Sequence, residues 1–128
     1  MVMVGNGNGS NGRLIDTFLS LSMFHFLGIP DPPKIVKVAK TMETAIITWK
    51  LGSDNGARIT TITIEYKNIS SRKWVSIQHS QTSLAKFTLT ALEPDEAYDF
   101  RMRATNAIGN GGWSLVYTAS THDPSMSI

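Results

Sequence analysis

Hydrophobic and polar residues alternate in steps of two over most of the chain from Pro30 onward. Ala45, Ile47 and Trp49 share one side of that period and Thr44, Thr48 and Lys50 the other, which predicts a strand with Trp49 at the centre of a core. The same rule turns Ile62, Ile64 and Tyr66 inward against Thr61, Thr63, Glu65 and Lys67. In the longest alternating stretch Tyr98, Phe100, Met102 and Ala104 interleave with Asp99, Arg101 and Arg103. Shorter runs at 34–40, 73–79, 85–89 (Phe87 and Leu89 inward) and 114–121 complete a set of seven strands. No segment carries a helical period, so the chain is expected to be all-β, a seven-stranded sandwich of two sheets. Between the second and third runs, the loop at 52–58 holds Asn55-Gly56, a pair suited to a tight turn.

Pro30, Pro32 and Pro33 cannot donate ladder hydrogen bonds and read as a linker entering the first strand, so the domain is expected to span 29–121, with a flexible tail at 122–128. Residues 1–28 read differently. Gly5 to Gly12 alternates glycine with Asn or Ser, a composition that buries little and predicts disorder. Residues 14–27 are apolar and serine-rich but broken by Asp16 and His25, too short for the roughly 20 apolar residues of a membrane span. A secretory signal would want an earlier basic start than Arg13 and a small residue where Phe26 stands. Phe, Leu and Ser are also what a pyrimidine-rich stretch of nucleotides encodes, so 1–28 is taken as a disordered or non-native leader.

Charge and composition remove whole classes of function. A net charge of +2, with no like-charged run beyond Arg72-Lys73, gives a nucleic acid or an anionic membrane nothing to grip. The absence of cysteine removes disulfides, thiolate metal sites and cysteine nucleophiles together. His25, His79 and His122 are widely spaced, and no nucleophile elbow or phosphate loop occurs. The expectation is a non-enzyme without cofactor, metal or small-molecule substrate.

The segments around Pro30-Asp31-Pro32-Pro33, Ala45-x-Ile47-x-Trp49 and Ile62-x-Ile64-x-Tyr66, with the unbroken stretch from Leu92-Glu93-Pro94 through Tyr98 to Asn106, resemble a fibronectin type III domain over about ninety positions. The resemblance implies an immunoglobulin-like sandwich with a core built on Trp49, Ile64, Tyr66, Leu92, Pro94, Tyr98 and Phe100. It also implies that Tyr98 is a tyrosine corner, its hydroxyl bonded to backbone near Leu92 or Pro94. The loop Ser53-Asp54-Asn55-Gly56, Trp74 and Asn106-Ala107-Ile108-Gly109 are similar to modules of neural adhesion proteins of the neuroglian, neurofascin and contactin type. Titin-like modules of muscle filaments share the Pro-Pro entry and the Asn-x-x-Gly turn, so an intracellular structural module is the alternative.

Proteins are therefore the expected partners, either adhesion partners or neighbouring domains, with membrane attachment only through other parts of a longer cell-surface chain. Three features are candidates for that work. Asn68-Ile69-Ser70 is an N-glycosylation tripeptide at the end of the third strand, and Asn8-Gly9-Ser10 is a second in the leader. Trp113 follows a glycine-rich turn, where it either anchors a partner or packs over the sandwich edge beside the prolines. Arg101 and Arg103 lie on the outer face with Asp99, opposite Glu65 and Lys67, as either a solvated ladder or a binding face.

Overall fold

The computed structural model describes residues 27–120. Seven strands follow one another: β1 (Lys34–Lys40), β2 (Ala45–Lys50), β3 (Ile59–Asn68), β4 (Val75–His79), β5 (Lys86–Leu89), β6 (Ala97–Asn106) and β7 (Tyr117–Ser120). They form a three-stranded sheet in the order β1-β2-β5 and a four-stranded sheet in the order β4-β3-β6-β7, with neighbouring strands antiparallel throughout. No helix occurs among the described residues.

Register places the inward residues of neighbouring strands side by side. Ile35 lies opposite Trp49 and Val38 opposite Ile47, while Ile62, Ile64 and Tyr66 face Ala104, Met102 and Phe100 across β3 and β6. Phe100, Ile47, Ile62, Ile64 and Met102 are fully buried, each contributing on the order of 1.5–3 kcal/mol by leaving water. Trp49, Leu92 and Tyr98 are buried in the same cluster, and Tyr66, Ile77 and Phe87 pack against it half-buried. Pro94 departs from the expected core: it is exposed, because it sits in the turn before β6 rather than on a strand face.

Several strands are shorter than alternation predicts. β4 starts at Val75 rather than 73, and β7 covers only Tyr117–Ser120 of the 114–121 run. The cause at β7 is Ser114. Its hydroxyl accepts the Met102 N–H (3.0 Å), taking the place of a backbone carbonyl, while its own N–H donates to Met102 O (2.7 Å). The segment thus stays fastened to β6 without completing the ladder.

The chain's entry is no free linker. Pro30 is fully buried, and Gly28 N–H donates to Asn55 O (3.1 Å) and Asp31 N–H to Ser53 O (2.9 Å). Asn106, 4% exposed, spreads its two amide hydrogens over the carbonyls of Gly28 (2.9 Å), Asp54 (3.0 Å) and Ala57 (3.1 Å). Its own carbonyl accepts from the N–H groups of Ile108 (2.9 Å) and Gly109 (3.2 Å). Asn55 reaches the same entry, donating to Ile29 O (2.7 Å) and Asp31 Oδ1 (3.0 Å). Asn55 (φ 52°) and Gly56 (φ 96°) make the expected left-handed turn. Gly111 is needed for space rather than for positive φ: a Cβ there would collide with the Pro30 carbonyl oxygen and stand 3.1 Å from that of Ala104.

Candidate functional site

The four-stranded sheet keeps one face on the core and turns the other outward, and β3 and β6 place Glu65 opposite Arg101, Lys67 opposite Asp99 and Thr63 opposite Arg103 on that outer face. Arg101 grips one Glu65 oxygen through Nη2 (2.7 Å) and Nε (2.9 Å), a charge-assisted contact on a partly sheltered surface. Lys67 Nζ lies 3.3 Å from Asp99 Oδ2, and the Thr118 hydroxyl donates to the other oxygen of that carboxylate at 2.5 Å.

Two tryptophans fold over these charges from the segments preceding β4 and β7. The Arg101 guanidinium lies 4.2 Å from the Trp74 ring centroid and 4.1 Å from that of Trp113. Lys67 Nζ stands 5.2 Å from the Trp74 ring, and Arg103 4.5 Å from Trp113. The result is an alternating ladder, Lys67, Trp74, Arg101, Trp113, Arg103, each contact worth about 0.5–1 kcal/mol at a partly exposed site. Thr63 beneath it is only 3% exposed although it points away from the core.

Trp113 is therefore not a free aromatic on a mobile turn: it is half-buried and held between Arg101 and Arg103. Its edge also borders an apolar groove of about 450 Å³ with Pro32, Pro33, Ile35, Leu115 and Tyr117. The charges on the ladder are unequal. Glu65 balances Arg101 and Asp99 balances Lys67, whereas Arg103 has no carboxylate partner among the described residues and its Nε is buried without an acceptor.

Asn68 ends β3, half-buried. Its Nδ2 donates to Glu96 Oε1 (2.8 Å) while its Oδ1 accepts from both the N–H (3.0 Å) and the hydroxyl (2.8 Å) of Ser70. Asn8 lies outside the described residues, as do His25, His122 and the whole of the leader before Leu27. The roles of two groups, Trp74 and Lys40, do not follow from the alternation of the sequence. Trp74 is a central rung of the ladder, and Lys40 is half-buried at the end of β1 with its ammonium nitrogen shielded from solvent, 5.1 Å from the Tyr98 ring and 5.5 Å from that of Phe100. Burial pushes Lys40 down from 10.5 to about 8.

Residues 31–120 match the model of the fibronectin type III domain. The chain belongs to the fibronectin type III family. Among curated proteins it is 32% identical over 101 residues to Contactin-5 of Danio rerio, covering 75% of this chain and 10% of that protein. It is 33% identical over 97 residues to the cell adhesion molecule DSCAM of Gallus gallus, covering 73% of this chain and 5% of that one. Among solved structures, a crystal structure of titin domains superposes with a TM-score of 0.65 at 27% identity, covering 74% of this chain and 33% of the other. This fibronectin type III domain thus has homologues among contactins and other neural adhesion proteins, of whose length it spans a tenth or less. The family's modules are generally non-catalytic, and no helix of the described residues is long and apolar enough to cross a membrane.

Proposed function

We propose that this fibronectin type III domain is a non-catalytic spacing and protein-binding module of a multidomain cell-surface adhesion or receptor protein, and that it binds through the ladder face. The observation that carries the reading is Arg103. Stacking on Trp113 fixes its guanidinium before any partner arrives, so little side-chain entropy is left to lose. It also lacks the carboxylate that neutralises Arg101. A cation presented in this way suits an acidic side chain on a protein partner, with Trp113 and Trp74 supplying rigid apolar area around it. Similarity to contactins and DSCAM supports the adhesion setting.

Beads coated with the full chain are expected to adhere to cells or to one another. Arg103→Glu should reduce that adhesion at least tenfold while lowering the melting midpoint by no more than about 4–8 °C, the loss of its one contact with Trp113. Equal adhesion by wild type and variant would remove the ladder face from the reading. The likeness to titin domains supports a second setting, a structural module inside a muscle filament. Surface labelling of intact cells that make the protein distinguishes the two, since a filament module stays unlabelled until the cells are opened.

A further inference from the structure

We infer that Asn68 accepts an N-linked oligosaccharide, and this inference rests on the cell-surface reading of the module. The tripeptide Asn68-Ile69-Ser70 straddles the end of β3 and the turn that follows, with Ile69 and Ser70 exposed. Its internal geometry suits the chemistry. The Ser70 hydroxyl lies 2.8 Å from the Asn68 amide oxygen and the Ser70 N–H 3.0 Å from the same atom, so two donors draw electron density toward Oδ1 and make the amide hydrogens more readily lost.

The folded domain also tolerates the product. Nδ2 carries two hydrogens, and one is committed to Glu96 Oε1 at 2.8 Å. Transfer replaces the other. The bond between the sugar C1 and the diphosphate of a lipid-linked oligosaccharide breaks, an N–C1 bond forms, the lipid diphosphate departs with the electron pair, and the amide proton passes to base. The Glu96 contact and both Ser70 contacts survive, so the sugar is added at no loss of hydrogen bonding. Glu96 and Ser70 then restrain the amide that carries the first sugar, next in sequence to Ile69, which is 52% exposed.

Position in the fold makes the modification compatible with binding. Asn68 pairs with Tyr98 near the start of β6, whereas Arg103 lies five residues further along that strand, roughly 17 Å away at a strand's rise per residue. Asn68 also alternates with Lys67 along β3, so its side chain leaves the strand on the side opposite the ladder and the Arg103 end stays open.

The test is to express the full chain behind a secretory signal in a eukaryotic host, with Ser10→Ala removing the second tripeptide, and to map the Asn68 peptide by mass spectrometry before and after an amide-cleaving glycosidase. An oligosaccharide on that peptide, released with conversion of the Asn68 amide to a carboxylate, is expected. Ser70→Thr should keep it, and Asn68→Gln and Ser70→Ala should each abolish it. An unmodified Asn68 peptide in secreted, folded protein overturns the site and leaves the cell-surface reading untouched. A glycosylated peptide in this host together with a native chain confined to the cytosol keeps the chemistry but overturns the cell-surface reading, and with it the modification in the cell.

Discussion

The Tyr98 hydroxyl accepts the backbone N–H of Glu93 at 2.7 Å, tying the first residue of the turn before β6 to a ring buried between Tyr66 and Phe100. Tyr98→Phe keeps the ring and removes the acceptor. The expected cost is about 1 kcal/mol, the net worth of one intramolecular hydrogen bond, or a melting midpoint lower by about 4–8 °C for a domain of this size. Chemical denaturation and calorimetry check it. An unchanged midpoint would mean that the hydroxyl holds nothing.

Lys40 works against the fold at neutral pH. Its folded-state value of about 8 lies below 10.5, so between those values the unfolded chain binds more protons than the folded one. Stability should therefore rise as pH climbs from about 8 toward 10.5, to the extent that the neighbouring rings do not already favour the charge. Lys40→Met should fill the same space, raise neutral-pH stability by about 1 kcal/mol and flatten that rise. Urea unfolding at neutral and alkaline pH measures both effects.

Two adjacent glycines should respond in opposite ways. At Gly111 an added methyl meets the Pro30 carbonyl oxygen, a backbone atom with nowhere to go, so Gly111→Ala should cost about 2–3 kcal/mol. At Gly112 the nearest atom is Pro32 Cγ at 3.6 Å, an ordinary contact, and Gly112→Ala should change stability by less than about 0.5 kcal/mol. Comparable melting points for the two variants would refute the close approach of the entry segment.

Arg101 joins the two halves of the ladder, contacting both tryptophans and Glu65. Arg101→Ala should lose about 1–2 kcal/mol, and Arg101→Lys should recover less than half, since an ammonium cannot stack between two rings while forming a forked pair. Quenching of tryptophan fluorescence by iodide should increase in Arg101→Ala as both rings become accessible. Unaltered quenching would show that the rings are held without the guanidinium.

How much of this was legible in the sequence depends on the distance over which the information acts. The faces of β2, β3 and β6 follow from a period of two, which is local, and the Glu65–Arg101 and Lys67–Asp99 pairs follow once β3 and β6 are set side by side. Lys40 was readable in principle. It stands two residues after Val38, which puts it on the inner side, but the pairing shifts between Ile35 and Lys37 and hides the parity of β1 from a simple alternation. The family resemblance puts Pro94 in the core beside Leu92 and Tyr98, yet a turn residue has no strand face to inherit. Trp74 and Trp113 stand outside any strand, and only the folding-back of both segments onto Arg101 reveals what they do.

Asn106 joins three stretches of chain that are far apart in sequence, and this bears on how the module carries a mechanical load. Tension drawn on the Gly28 side meets the Asn106 and Asn55 bonds before it reaches the first rung of β1. Those bonds hold Gly28 and Ile29 to the loop that precedes β3 and to the last residue of β6. A pull on this end is therefore passed directly into the four-stranded sheet, and the edge strand of the other sheet is spared from peeling first.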